Sequence, residues 1–287
     1  ARDGPRRPRP SPTPTSDIMG ASNSKLPQHC EPLADGLWTL HSPHNRNFIG
    51  MQICSACLLI KTPSSGLVVI NPPSHDQIFL DAVRKLCHDT GEKVTAVFSP
   101  GDWHHAYLMA WATAFPDANL YVASERVLTK QPALAPRLPA AIVVDTKNPS
   151  VPELAECCTL LPWLGCKQPP WIMGGDTSGT PRAEHVILHN PTSTLFVTDH
   201  LFGDGFMGKG ISFNTIGFSL QSGAKDQALE SAQRIIATRP RRLVFSHGDK
   251  SAVVFGDGTE AAEEVVAAAL ENAYKFCGAG APSDVST

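Results

Sequence analysis

The chain has 287 residues, of which 42% are hydrophobic and 18% charged, and its formal net charge is −3. This length is enough for one large domain or two small ones, and the composition is that of an ordinary globular protein. The slightly acidic balance excludes the basic surface that is typical of nucleic-acid binding, and no apolar run reaches the length that spans a bilayer.

The N-terminal part of the chain differs from the rest. Its first eighteen residues contain five prolines and four arginines without an apolar pattern, and we expect residues 1–32 to be disordered. The segment from Met19 to Lys25 fits the N-myristoylation pattern if translation starts at Met19, with Gly20 as the acceptor, although so short a match also occurs by chance. One acyl chain would give weak, reversible membrane association.

Residues 33–277 predict one alternating α/β domain, followed by a flexible tail over 278–287. Strand-like runs come first as a hairpin series, and helical patterns enter later, after the N-cap candidates Ser74, Asp102, Ser222 and Thr259. This order favours two packed mixed β-sheets with helices on their outer faces, which makes a four-layer α/β sandwich. The predicted strands are 37–41, 48–61, 67–71, 94–98, 119–123, 141–144, 159–164, 184–189, 194–198 and 242–246, and the sequence leaves open a break in 48–61 at Gly50.

The eight cysteines form no convincing disulfide framework. Cys54 and Cys57 lie three positions apart in an apolar strand, so their side chains are predicted to point to opposite faces. Cys157, Cys158 and Cys166 cluster without a second His/Cys pair at zinc spacing. Since no secretory signal is visible, we interpret the cysteines as buried apolar thiols of a cytoplasmic protein.

Three predicted strands run directly into residues that can ligate a metal or transfer a proton. These residues are Asp102, His104 and His105 after strand 94–98, Asp199 after strand 194–198, and His247 after strand 242–246. In α/β proteins, ligands bind at the carboxyl ends of the strands. We therefore expect these side chains to form one site.

The order of these residues resembles the metallo-β-lactamase-like hydrolase superfamily, and the resemblance covers most of residues 33–277. That family has a strand leading into a His-x-His-x-Asp-His loop, a bridging aspartate after a later apolar strand, and a histidine after the last strand. Here Phe196-Val197-Thr198-Asp199 and Phe245-Ser246-His247-Gly248 match the last two features well. The loop is degenerate, because Pro100-Gly101-Asp102-Trp103-His104-His105 stands in its place.

One of the family's two metal sites has lost its ligands. The alignment with the family loop places Pro100 and Asp102 on its first two histidines. Near the position of the family's third histidine stands Asp176, 23 residues before Asp199 and in a similar Gly/Thr context. The site that needs three histidines therefore has none, and the sequence leaves open whether Asp176 or His189 enters the remaining site.

The resemblance implies a reduced, mononuclear site for one divalent ion, with zinc favoured over iron or manganese. Its implied ligands are His104, His105, Asp199 and His247, and His104 or Asp102 could instead act as the general base. A metal-activated water would then hydrolyse an ester, a thioester or a related small substrate.

Two other functions stay open. The chain could be a catalytically inactive member of the fold that binds a ligand or a protein, or it could carry out redox chemistry at iron. At the level of single residues, Asp102 could simply cap a helix, and Asp199 could hold a loop by accepting backbone N–H bonds. We interpret His185 and His189 as strand histidines whose hydrogen bonds are satisfied. The sequence does not indicate the oligomeric state.

Overall fold

The computed structural model describes residues 30–48, 51–130, 141–167, 181–203, 212–213, 219–220 and 224–247. Gly20, Asp176, the predicted helix after Thr259 and the tail 278–287 lie outside these residues. The strands are β1 (Cys30–Ala34), β2 (Leu37–Phe48), β3 (Met51–Thr62), β4 (Gly66–Ile70), β5 (Val94–Ser99), β6 (Asn119–Val122), β7 (Ala141–Val143), β8 (Cys158–Lys167), β9 (Pro181–His189), β10 (Thr194–Val197), β11 (Leu201–Phe202), β12 (Ser212–Phe213), β13 (Ser219–Leu220) and β14 (Arg242–Phe245). The helices are α1 (Gln77–Thr90), α2 (Leu108–Ala114), α3 (Glu125–Lys130) and α4 (Lys225–Ala237).

The first sheet follows the chain in the order β1-β2-β3-β4-β5-β6-β7. Strands β1 to β4 pair antiparallel as successive hairpins. From β4 to β7 the pairing is parallel, and a helix lies between the strands of each pair: α1 after β4, α2 after β5 and α3 after β6. The second sheet has the order β13-β8-β9-β10-β14 and is also mixed, since β14 alone pairs parallel to its neighbour β10.

Alternation along the central strands places one apolar layer on each face of each sheet. In β3, Leu58 and Ile60 face the second sheet, where they join a cluster with Phe196 of β10. Leu59 faces the other way, toward α1 and α2. In the second sheet, Val197 of β10 packs in the cluster that contains the apolar face of α4. The predicted four-layer arrangement of helices, two mixed sheets and helices is therefore confirmed.

Several element boundaries differ from the predicted ones. The first strand begins at Cys30, ahead of the predicted domain start at residue 33, because its residues pair with β2. Strand β2 continues to Phe48, past its predicted end at His41, and β3 begins at Met51, which agrees with the break at Gly50 that the sequence left open. The helix predicted after Asp102 begins only at Leu108, so Asp102 is not its N-cap. None of the helices in the described ranges is long and apolar enough to cross a membrane.

The histidine at position 185 lies in β9 with its ring among apolar side chains, 6.1 Å between centroids from the ring of Phe98 in the first sheet. Neither ring nitrogen has a hydrogen-bond partner among the described residues, so the prediction that the hydrogen bonds of His185 are satisfied is wrong. Burial lowers its pKa to about 4, and the opposing influence of the Ala123 and Val144 backbones is too small to offset this. His185 therefore stays neutral in the folded protein at pH 5, whereas it is protonated in the unfolded chain.

The pKa of His185 is lower in the folded protein than in the unfolded chain. Its protonation therefore leaves the free energy of unfolding unchanged above about pH 6.5 and lowers that free energy as the pH falls towards 4. We expect the free energy of unfolding to lose about 3 kcal/mol from this group across that range. His185→Gln should remove this part of the dependence of the unfolding free energy on pH, as measured by urea denaturation at several pH values. The exposed His88→Gln is the control, and an unchanged slope in His185→Gln would contradict the assignment.

Candidate metal centre

Three side chains from distant parts of the chain meet at the ends of β5, β10 and β14. They are His104, Asp199 and His247, and their donor atoms all lie within 4.8 Å of one another. The distance from His104 Nε2 to Asp199 Oδ1 is 2.9 Å, from His247 Nε2 to the same oxygen 3.4 Å, and between the two Nε2 atoms 3.3 Å. The predicted convergence of three strand ends therefore brings these three residues together.

The donor set fits a divalent transition metal in kind and in spacing. Two imidazole nitrogens and one carboxylate oxygen form a common ligand set for zinc, and three protein ligands leave a fourth position for water. A tetrahedral ion with ligands about 2.0–2.1 Å away holds its donor atoms about 3.4 Å apart. Two of the three separations here, 3.3 and 3.4 Å, already have this length.

Electrostatics keeps the carboxylate of this group ionised. Burial works to raise the pKa of Asp199, but the neighbouring His104 and His247 outweigh it and the pKa is lowered. Burial works to lower the pKa of His104, and the Asp199 carboxylate outweighs this effect and raises it. The side chains of His104, Asp199 and His247 are 9%, 5% and 10% exposed, so the group lies just below the surface and remains within reach of solvent.

The loop that carries His104 is held from both sides. The Ser99 hydroxyl lies 2.7 Å from the carbonyl oxygen of His104 and 3.2 Å from that of Gly101, and it shares its one hydrogen between these two acceptors. The buried carboxylate of Asp102 accepts a hydrogen bond from the Ser124 hydroxyl and pairs with Arg182 at 3.4 Å. These contacts fix the loop after β5 against α3 and β9.

Gly101 lets this loop lie directly against the aspartate. A Cβ at this position would stand 2.9 Å from Thr198 Oγ1 and 3.1 Å from Asp199 Oδ2. Its backbone also forms an isolated antiparallel bridge to Glu184 in β9. A side chain at position 101 would push the loop away from Asp199, and His104 would move with it.

The turn that carries Asp199 is organised by a single buried carboxylate. Glu184, on the neighbouring strand β9, accepts hydrogen bonds from the backbone N–H groups of Thr198, Asp199 and His200 at 2.6, 2.9 and 2.8 Å. The ring of His200 also bonds to Glu184, with Nδ1 2.6 Å from Oε2. Three successive N–H groups aimed at one carboxylate determine the direction in which Asp199 leaves the strand.

The charge of Glu184 is compensated inside the protein. Burial works to raise its pKa, and the adjacent His200 outweighs this effect, so the pKa is lowered. Burial likewise opposes protonation of His200, yet Glu184 raises the pKa of His200 to about 10. The His200 ring also stacks on Trp163 with centroids 4.8 Å apart. The pair is therefore a buried ion pair at neutral pH.

The third residue, His247, follows β14 and is positioned from the first sheet. Asn71 stands at the end of β4 in a left-handed conformation, with φ of 57°, which asparagine tolerates better than most residues. Its side-chain amide donates to the carbonyl of Ala56 at 2.6 Å and to the Ser246 hydroxyl at 2.8 Å. The backbone carbonyl of His247 accepts from the N–H of Gly203 at 2.8 Å.

Asp102 and His105, which the sequence placed at this site, lie outside the three-residue group, and so does His189, which the sequence left open. His105 Nδ1 instead lies 3.1 Å from the backbone carbonyl of Asp102, within the same turn. The Asp102 carboxylate contacts Ser124 and Arg182. His189 lies at the opposite end of β9, where its ring bonds to the Thr192 hydroxyl.

The sequence matches no protein-family model and no curated protein. Among solved structures, it is similar to DIM-1 metallo-β-lactamase exposed to ceftazidime, with a TM-score of 0.54 and 12% identity over 87% of this chain and 95% of the other. The metallo-β-lactamase from Hirschia baltica gives 0.51 and 14%, covering 86% of this chain and 96% of the other, and that from Erythrobacter litoralis gives 0.51 and 14%, covering 84% and 91%. The chain has the metallo-β-lactamase fold.

As a divergent member of the metallo-β-lactamase fold, the chain carries positioning residues that the sequence did not reveal. Glu184 lies inside an apolar strand, and neither its spacing nor its neighbours indicates that it accepts bonds from residues 198–200. Asn71 directly follows β4, and only the folded structure shows that its amide reaches Ala56 and Ser246.

Glu184→Ala should lower the free energy of unfolding by about 3–5 kcal/mol, because it leaves protonated His200 buried without its carboxylate. Glu184→Gln should lie between this variant and the wild type, since its amide oxygen can still accept backbone hydrogen bonds. Urea denaturation measures both, with the exposed Glu156→Gln expected within 0.5 kcal/mol of wild type as the control. Wild-type stability in Glu184→Ala would show that the carboxylate does not organise the turn.

Proposed function

We propose that this protein is a metal-dependent hydrolase with a mononuclear site held by His104, Asp199 and His247. The observation that carries the proposal is the triangle of donor atoms, with sides of 2.9–3.4 Å, at the ends of three separate strands. Three nitrogen and oxygen ligands with one open position are the pattern of catalytic rather than structural zinc sites. The position of the group at strand ends in a metallo-β-lactamase fold supports the same conclusion.

A divalent ion bound by these residues would lower the pKa of a water molecule towards neutrality and make hydroxide available at pH 7. The protein's own residues then supply position and charge. Asp199 is held ionised and carries the negative charge of the ligand set, while the Glu184 contacts hold its backbone in place. The Asp102 carboxylate, paired with Arg182, serves in this proposal to position the loop of His104.

The proposed substrate is an ester, a thioester or a related small molecule. The ligand side chains are only 5–10% exposed, which favours a small electrophilic group entering from one side over a folded macromolecule. Attack by hydroxide on such a carbonyl needs one bound water and no cofactor beyond the ion.

A second candidate function is a catalytically inactive protein that uses this fold to bind a ligand or partner. The observation in its favour is that the same three side chains already satisfy one another without an ion, since Asp199 Oδ1 bonds directly to the His104 ring at 2.9 Å. Metal analysis separates the two candidates, because the second does not require an ion.

The purified protein should contain about one equivalent of zinc, iron or manganese by elemental analysis. His104→Ala and His247→Ala should each lose it, because the one imidazole and one carboxylate that remain bind a divalent ion far more weakly than the complete set. His105→Ala is the matched control, since it removes an imidazole from the same turn whose ring lies outside the group. Metal loss in His105→Ala with retention in His104→Ala would overturn the proposed ligand set.

The metal-loaded protein should hydrolyse an activated ester or thioester, and a chelator should abolish the activity. Asp199→Asn should lower kcat/KM by at least about 100-fold, because it removes the ligand charge. His105→Ala should stay within a few-fold of wild type. A fully folded protein that binds no ion, and whose thermal stability is unchanged by a chelator, would favour the inactive candidate.

A further inference from the structure

A pair of thiols lies at the opposite end of the second sheet from the metal centre. Cys157 and Cys158 are both buried, and their Sγ atoms are 3.7 Å apart. Successive side chains of a strand normally point to opposite faces. Here Cys157 still belongs to the turn before β8, where its N–H bonds to the carbonyl of Leu154 at 3.1 Å, so both sulfurs can reach the same side.

An imidazole from the neighbouring strand completes the surroundings of this pair. Cys158 is the direct cross-strand neighbour of His189 in the β8–β9 register. The Cys158 thiol and, after it, the His189 imidazole lower the pKa of the Cys157 thiol to about 5, so both groups act on the same sulfur. The backbone on both sides is fixed, because the N–H of Asn190 donates to the carbonyl of Cys157 at 2.8 Å.

The His189 ring is itself held in orientation. Its Nδ1 lies 2.8 Å from the Thr192 hydroxyl, and that hydroxyl lies 2.7 Å from the hydroxyl of Thr194. Hydrogen bonds of this kind orient the groups around bound metals in proteins. The sequence showed the neighbouring cysteines without a histidine at zinc spacing, and the sheet supplies one from 31 positions further along the chain.

The distance between the two sulfurs matches the distance between two thiolate ligands of one metal ion. In tetrahedral zinc–thiolate sites the Zn–S distance is about 2.3 Å, which puts two thiolate sulfurs about 3.8 Å apart. The two sulfurs here are 3.7 Å apart, so both can bind one ion with little rearrangement. Soft thiolate ligands select thiophilic cations over magnesium or calcium.

This pair is separate from the centre at His104, Asp199 and His247. His189 pairs with Thr194 at the start of β10, and Asp199 follows the other end of that strand. Five residues of extended chain span roughly 16 Å. No single ion can be shared between the two places.

We propose that Cys157 and Cys158 form a dithiolate site for a thiophilic divalent cation of the zinc group, with His189 positioning the Cys157 sulfur. Binding forms two metal–sulfur bonds and releases to solvent the protons that the thiols carry, with no oxidation or reduction. Glu156, which precedes Cys157 in the chain, and Asn190, which follows His189, are both exposed. The pair is therefore buried close to the surface at this end of the sheet.

The test uses the reduced, metal-stripped full chain and Cd²⁺ as the probe, because cadmium–thiolate bonds absorb in the ultraviolet and imidazole or carboxylate ligation does not. Titration should produce this absorption, and Cys157→Ser and Cys158→Ser should each lose most of it. The half-buried Cys87→Ser is the matched thiol control and should keep it. His104→Ala should also keep it, so that loss of the first centre is distinguished from loss of the second.

A second measurement covers the case in which a serine variant does not fold. Cd²⁺ should protect Cys157 and Cys158 of the wild-type protein from alkylation, as measured by peptide mass spectrometry, and should leave Cys87 unprotected. His189→Gln should weaken Cd²⁺ binding by about 10–100-fold, as loss of a group that orients a ligand does. Equal alkylation with and without Cd²⁺, or full thiolate absorption in both serine variants, would overturn the proposal.

Discussion

The structure of the candidate site depends on one buried carboxylate. Glu184 accepts three consecutive backbone N–H groups of the turn after β10 and pairs with His200, while its own backbone bridges to Gly101 in the loop after β5. Removing a carboxylate from water is costly unless its lone pairs and charge are compensated. Here every compensating group belongs to, or adjoins, a segment that carries a donor atom. The contacts that make the burial of Glu184 tolerable are therefore the same contacts that determine where Asp199 lies, and the backbone bridge to Gly101 holds the loop of His104 beside it.

The third donor depends on contact between the two sheets. His247 is reached through Ser246, whose backbone carbonyl accepts from Ala56 of the first sheet and whose hydroxyl accepts from the Asn71 amide. The apolar layer between the sheets brings β3 and β14 close enough for these bonds to form. Packing and site geometry are thus coupled, because a change in the distance between the sheets would move His247 relative to the other two donors.

Much of this could be predicted from the sequence, and the rest could not for identifiable reasons. Strands β4, β5, β10 and β14 are continuous apolar runs with turn residues at their ends, so their positions and the residues that follow them were predictable. The choice between His104 and His105 was not, because side chains in an irregular turn have no fixed period. The role of Asp102 was also hidden, since its partner Arg182 lies 80 residues away. The role of Glu184 was hidden as well, because the N–H groups that it accepts belong to residues 14 to 16 positions further along the chain.

The two proposed ion sites differ in how far apart their ligands lie along the chain. His104, Asp199 and His247 are neighbours only in the folded protein, so an ion held by them stabilises the native state by the full linkage free energy. Cys157 and Cys158 remain adjacent in the unfolded polypeptide, which keeps a chelating pair even when the sheets have separated. Since binding to the unfolded state reduces ligand-induced stabilisation, a thiophilic ion would raise the melting temperature less than an equally tight ion at the histidines. Thermal shift is therefore a measure of occupancy at the first site and a poor one at the second.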